Sequence, residues 1–184
     1  MLTGLKKTVL FDIDKILAKM NISEKQKIAD LGCGNFGFFV FPLAKMVGRG
    51  GKVYAVDILR ENLKEIKNLA EKENFPQVEP VWSNLEIFKA TKIETESIDA
   101  ATLINVLNQS LKRIEILKET ARLLKTNGKL LIIEWKSIDL PLGPDVEKRI
   151  KVEVLKENAA KVGLKIREEF EAGPCHYGLI LTKL

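Results

Sequence analysis

Apolar residues along this chain fall into two alternating patterns, short continuous runs and longer stretches with apolar positions three and four apart. Between Val9 and Met20, Leu10, Ile13, Ile16, Leu17 and Met20 share one helical face, which predicts an amphipathic helix covering a sheet edge or a ligand mouth. Strand and helix patterns then alternate: strand Lys27 to Leu31, helix Phe38 to Val47, strand Lys52 to Val56, helix Leu59 to Glu73, strand Val78 to Trp82. Ile98 to Ile104 reads as a fourth strand, Leu111 to Leu124 as a helix ended by an Asn127-Gly128 cap, and Lys129 to Trp135 as a fifth strand. After a loop containing Pro141, Gly143 and Pro144, Asp145 is the expected N-cap of a helix to Val162. Alternation at this interval implies parallel strands with helical crossovers. The last two strands, Leu164 to Phe170 and Tyr177 to Lys183, are linked too briefly for a crossover, so the final strand runs antiparallel. The expectation is an α/β fold: a doubly wound, mostly parallel seven-stranded sheet with an antiparallel last strand and helices on both faces. It forms a single domain over residues 1–184, of which 1–26 are an N-terminal helical cap.

Bulk properties narrow the class. At 184 residues, 46% hydrophobic and 30% charged, the chain supports one substantial core. No apolar run reaches the roughly 20 residues that cross a bilayer, and the opening Met-Leu-Thr-Gly-Leu-Lys-Lys has no apolar block of the signal-peptide kind, so a cytoplasmic location is expected. Two cysteines, Cys33 and Cys175, without Cys-x-x-Cys or His-x-x-x-His spacing, point to reduced thiols and no metal site. The net charge of +5 invites a nucleic-acid reading, but the lysines interleave with glutamates, as in Glu61 to Glu73, the pattern of a solvated helix face. Nucleic acid is therefore disfavoured as a partner.

The chemistry concentrates in Ile28-Ala-Asp30-Leu-Gly32-Cys33-Gly34-Asn-Phe-Gly37 followed by Val53-Tyr-Ala-Val-Asp57. A strand, a glycine loop, a helix and a second strand ending in a carboxylate describe half of a nucleotide-binding sheet, with Asp57 placed for a ribose diol. The spacing Gly32-x-Gly34-x-x-Gly37 also fits a dinucleotide fingerprint, so NAD and FAD compete. Asp30 discriminates, because a carboxylate there would repel a pyrophosphate and attract an ammonium group. Charge thus favours S-adenosyl-L-methionine, with its ammonium, sulfonium and ribose and no phosphate.

On these residues the chain resembles the class I S-adenosylmethionine-dependent methyltransferases. Asp30-Leu-Gly32-Cys33-Gly34 matches their first motif and Val53 to Asp57 their second. Ser97 to Asn105 resembles the fourth-strand motif, and Leu124 to Lys136 the approach to the fifth strand. The ending Gly173-Pro-Cys-His176-Tyr177-Gly178 is similar to that of small, lid-poor members. Asn35-Phe36 before Gly37 add one residue to the family's usual loop. The resemblance implies that Asp30, Gly32, Cys33, Gly34, Asp57, Ile58, Asn84, Leu85 and Asn105 hold the cofactor. Asp57 would take the ribose hydroxyls, Asn84 or the Leu85 amide the adenine, and Asn105 the methionine portion.

On the acceptor side, Asn108, Trp135, Lys136 and Tyr177 are expected on the rim with His176 and Glu134. The antiparallel last strand starts where its neighbours end, so His176 is expected near Glu134 and the methyl donor. His176, the sole histidine, titrates near neutrality and is the first candidate base; Glu134 is the second if burial raises its pKa. Asn105-Val-Leu-Asn108 is not the Asn/Asp-Pro-Pro-Tyr/Phe signature for amide and base N-methylation, which leaves a small-molecule acceptor. The alternatives are a non-catalytic binder of the same cofactor, an RNA methyltransferase and an NAD-dependent oxidoreductase, and the protein is expected to be a monomer or homodimer.

Overall fold

Strand β1 (Lys27–Leu31) is buried from its second residue onward, as a strand must be when helices cover both faces of its sheet. In the computed structural model, which describes residues 12–138 and 143–184, it pairs in parallel with β2 (Lys52–Asp57) on one side and β4 (Ile98–Ile104) on the other. Strands β3 (Val78–Trp82), β5 (Leu124–Trp135), β6 (Leu164–Glu171) and β7 (His176–Lys183) complete a seven-stranded sheet of order β3-β2-β1-β4-β5-β7-β6. Only β7 runs against its neighbours, as its short link requires.

Side-chain alternation divides the core in two. Ile28, Val53, Ala100, Leu131, Ile133 and Ile180 face α1 (Ile13–Ala18), α2 (Val40–Val47) and α3 (Arg60–Lys72). Leu31, Val56, Leu103, Ile132 and Leu181 face α4 (Arg113–Leu123) and α5 (Val152–Ala160). Helix α1 starts at Asp12, whose side chain caps it by accepting from the Lys15 amide at 3.1 Å; the expected start at Val9 and the apolar Leu10 lie outside the described residues.

Two elements depart from expectation by more than two residues. Helix α4 ends at Leu123, and Asn127, with φ +63°, lies inside β5, where three inserted residues shift the register against β4. The Asn-Gly pair therefore turns a bulge instead of capping a helix. The helix expected from Asp145 is broken into a single 3-10 turn, Val146–Lys148, then extended chain to Lys151, then α5. Tertiary contacts account for the break: buried Arg149 donates to the carbonyls of Pro144 and Lys136, and the Tyr177 hydroxyl holds the Ile150 carbonyl at 2.9 Å. Pro141 lies outside the described residues.

Candidate active site

Because β1 has parallel neighbours on both sides, the loops leaving β1 and β4 diverge at their carboxyl ends, the place where open α/β sheets bind ligands. The amides of Gly32 and Cys33 both donate to the Val56 carbonyl, turning the chain sharply off β1. Gly32 has φ +81°, and a Cβ on it would lie 2.5 Å from Val106 Cγ2, so no larger residue fits against the β4 loop. Gly34 has φ +64° and nothing within 4 Å of where its Cβ would be, leaving its backbone open.

A cleft of about 340 Å³ opens above these glycines. Asp57, almost fully buried, forms its inner wall, with Oδ2 accepting from the Gly34 amide at 2.9 Å and Oδ1 from the Leu59 amide at 2.8 Å. Ile58 and Leu59 contribute an apolar shelf that stays about half exposed, and the Trp82 indole anchors it by donating to the Ile58 carbonyl. Opposite, Asn84 Oδ1 accepts from the Glu86 amide in an Asx turn, leaving its amide group the part that can serve a ligand. Leu85 is buried behind it, and Glu86 receives the Ser110 hydroxyl at 2.7 Å, bridging the β3 and β4 loops. Asn62, Val106, Gln109 and Ser110 also line the cleft.

Sequence reasoning missed these four as well as Leu59, Glu86 and Ile116. Asn62 was within reach, since it sits one position before buried Leu63 on α3, five residues past Asp57. The Glu86–Ser110 bridge spans 24 residues and leaves no local signal.

Asp30, expected to face the ligand and discriminate by charge, is instead buried outside the cleft lining and accepts from the Thr102 hydroxyl at 2.6 Å, so the charge at the cleft is that of Asp57 and Glu86. Burial pushes its pKa up to about 7, with the nearby Asp57 charge adding to the rise and the Thr102 bond opposing it. Burial, helped by the same two carboxylates, also raises the Cys33 thiol, so it stays protonated.

On the β4 side, Asn105 adopts φ +56°, donates its amide to the Ile133 carbonyl and accepts the Gln109 side chain on its own carbonyl. Its Oδ1 and that of Asn108 are buried without a hydrogen-bond partner among the described residues. Glu134 is fully buried and accepts the Leu107 and Asn108 amides on Oε1. Burial lifts its pKa to about 7 against these bonds.

His176 and Glu134 reach the same rim but not the same face. Trp135 pairs with His176 and Glu134 with Tyr177, so the pleat sends His176 to the α1–α3 side and Glu134 to the α4–α5 side. The expected convergence of the two is thereby corrected. His176 is fully buried with its ring 4.1 Å from that of Trp135; burial, and then the positive charges of Arg149 and Lys136, depress its pKa to about 4. Lys136 pairs with Glu171, Trp135 packs under Gly143 and Arg149, and Tyr177 spends its hydroxyl on Ile150. Neither Glu134 nor His176, Trp135, Lys136 or Tyr177 is among the cleft-lining residues.

The donor set decides between the cofactors. Two carboxylates, Asp57 and Glu86, line the cleft, and among the described residues no lysine, arginine or histidine does. That lining suits a cationic ligand with a ribose and offers a pyrophosphate no counter-charge. Open space at Gly34 and the apolar shelf at Ile58 and Leu59 accommodate the rest of S-adenosylmethionine.

Residues 22–159 match a family model described as a methyltransferase domain. A demethylmenaquinone methyltransferase of Lactococcus lactis is 31% identical over 132 residues, covering 70% of this chain and 49% of that protein. A 2-phytyl-1,4-naphtoquinone methyltransferase of Trichormus variabilis is 32% identical over 106 residues, covering 58% and 45%. The chain spans about half the length of the curated relatives it matches. A solved SAM-dependent methyltransferase from Aquifex aeolicus has the same fold, with a TM-score of 0.88 at 24% identity over 98% of this chain and 94% of that one.

Proposed function

Given that the chain belongs to the methyltransferase-domain family, we propose that it transfers a methyl group from S-adenosylmethionine to a small-molecule acceptor. The observation that carries this reading is the cleft lined by Asp57, Gly32 and Gly34 and free of cationic side chains among the described residues. Asp57 would hold the ribose hydroxyls, Ile58 and Leu59 the adenine face, Asn84 or the Leu85 amide its edge, and Gly34 with Asn105 the methionine portion. Asp30 and Cys33 support the loop from below. When bound, the cofactor supplies an electrophilic methyl on a sulfonium, whose charge disperses as the methyl departs. The protein then has to align the acceptor and exclude water, which supplies much of the acceleration in such displacements.

Gln109 and Ser110, with Asn108 in the same turn, would form the acceptor side of the wall. His176 faces away from Glu134 and neither lies in the cleft lining, so the transfer is assigned no base from this pair. Naphthoquinone-type acceptors are the class to screen first, on the names of the two relatives and on the apolar rings of Phe36 and Phe38, exposed on the glycine loop 5.4 Å apart. We further propose a single domain acting in the cytoplasm as a monomer or homodimer. Among the described residues no helix is long and apolar enough to cross a membrane. The second reading, a binder of the cofactor that transfers nothing, is favoured by the absence of His176 and Glu134 from the cleft lining.

Calorimetric titration with S-adenosylmethionine, S-adenosylhomocysteine and NAD, repeated on Asp57→Ala, tests the cofactor. Binding of the first two, lost in the variant, is expected, and binding of NAD alone would overturn the reading. A radiolabelled-methyl assay over acceptors separates transfer from mere binding.

A further inference from the structure

Glu134 is a fully buried carboxylate outside the lining of the cleft, yet it reaches the cleft wall through the backbone. Its Oε1 accepts the Leu107 amide at 2.7 Å and the Asn108 amide at 3.2 Å, two successive donors of the 3-10 turn Leu107–Gln109. Arg113 grips the same turn from its other end, donating Nε to the Leu107 carbonyl at 3.1 Å. Val106 and Gln109, on either side of the two held amides, and Ser110 beyond them all line the cleft. Oε2 makes no further hydrogen bond among the described residues, and the Trp135 amide beside the group also favours its ionised form.

We propose that Glu134 is a positioning residue for the cleft: as a carboxylate it clamps the Leu107–Gln109 turn and so sets the ligand-binding shape of the wall from Val106 to Ser110. The proposal rests on the reading of the cleft as an S-adenosylmethionine site. Amide bonds to an ionised acceptor are shorter and stronger than those to a neutral one, so loss of the charge loosens the turn without removing any group that touches ligand. The charged and titratable groups facing Glu134 are Arg113 from α4, which favours its ionised form, and Tyr177 from β7. Behind Tyr177 stand Glu153 of α5 and Glu169 of β6. With its pKa lifted to about 7, Glu134 changes charge in the neutral range, and affinity should rise as it ionises.

The test reads the Leu107 and Asn108 amide signals by nuclear magnetic resonance and S-adenosylhomocysteine affinity by calorimetry, both from about pH 5.5 to about pH 8.5, in wild type, Glu134→Gln and Asp30→Asn. The expected result is that both amides shift with one midpoint near neutrality while affinity rises about tenfold over the same range. In Glu134→Gln affinity is flat and about tenfold weaker at the alkaline end; in Asp30→Asn, which removes a second buried carboxyl with a pKa of about 7, the two amides still shift. Wild-type affinity in Glu134→Gln at alkaline pH would overturn the proposal and leave the cofactor reading standing. Wild-type protein that takes up no S-adenosylhomocysteine at any pH would overturn both. If the variant does not fold, the wild type alone decides, since amides that do not titrate, or that titrate without a change in affinity, overturn the positioning role.

Discussion

The Gly34 amide donates to Asp57 Oδ2 at 2.9 Å, so the loop after β1 and the carboxylate ending β2 form one hydrogen-bonded unit. The Leu59 amide fills Oδ1 and ties in the start of α3. Asp57 thus serves two roles with one side chain: it orients the glycine loop through backbone donors, and each oxygen retains lone-pair capacity for a ligand hydroxyl.

That dual role separates two substitutions. Asp57→Asn keeps one acceptor oxygen but turns an amide group toward one of the two backbone donors, and Asp57→Ala removes both acceptors. Urea unfolding is expected to show a loss of about 1–3 kcal/mol in each, since a nearly buried donor is left unsatisfied. Calorimetry is expected to show S-adenosylhomocysteine affinity at least about tenfold lower in each, because two charged acceptors for ribose hydroxyls are gone.

Gly34 and Gly163 offer a matched pair. Both have positive φ, +64° and +76°, and neither has an atom within 4 Å of where a Cβ would lie. Alanine at either place is expected to cost about 1 kcal/mol of backbone strain in thermal or urea unfolding. Only at Gly34 would the methyl group stand at the cleft, so cofactor affinity should fall in Gly34→Ala and stay at the wild-type value in Gly163→Ala.

What the residues revealed in advance was local. Lys27–Leu31, Val78–Trp82 and Ile98–Ile104 were legible to the residue because short, apolar-rich segments set between helical patterns have few other uses. The antiparallel β7 followed from its short link, and Gly34 and Asp57 from motif spacing, while the order of the strands across the sheet emerged only from their pairing. Hidden from that reading was whatever depended on distant partners. Asn127-Gly128 carries turn chemistry at either a helix end or a bulge, and pairing with β4 decided for the bulge. The helix expected from Asp145 yielded to carbonyls that bind Arg149 and to a tyrosine on β7. His176 pairs with Trp135 at the end of β5, but the face it takes depends on register against β5, which a one-residue slip would reverse.

Three buried groups predict a pH dependence of stability with opposing signs. His176 has a folded pKa of about 4, below its ordinary value, so its contribution is present above about pH 6.5 and is lost as pH falls toward 4. Asp30 and Glu134 have folded pKa values of about 7, above their ordinary values, so their contributions are present in acid and lost as pH rises through 7. His176→Phe should therefore lose less stability than wild type between about pH 6.5 and about pH 4.5, and Asp30→Asn should lose less between about pH 5 and about pH 8. Parallel slopes of melting temperature against pH in wild type and variant would refute each assignment in turn.

The segment from Ser83 to Ser97 crosses from β3 to β4 without a helix, and a buried ion pair stands in for one. Glu119 on α4 is fully buried, accepts the Lys89 amide at 2.8 Å and the Thr91 amide at 3.1 Å, and meets Arg122 Nε and Nη2 at 2.8 Å each. Arg122 in turn donates to the carbonyls of Thr91 and Ile93 and to the Thr95 hydroxyl. Burial alone would raise the Glu119 pKa, but the Arg122 bond and the Lys89 and Thr91 donors outweigh it and hold the group below its ordinary value. Its stability contribution is therefore present above the ordinary carboxylate range and lost as pH falls below it. Removing one partner leaves the other buried and uncompensated, so Glu119→Ala should cost about 3–5 kcal/mol in urea unfolding. The double change Glu119→Leu with Arg122→Leu should cost clearly less than the sum of the single changes, because neither charge is then stranded. The same crossing carries Asn84 and Glu86 into the cleft, so Glu119→Ala should also weaken S-adenosylhomocysteine binding at temperatures where the variant remains folded. Unchanged affinity in that variant would show that the Asx turn and the Glu86–Ser110 bridge hold the cleft wall without the ion pair behind them.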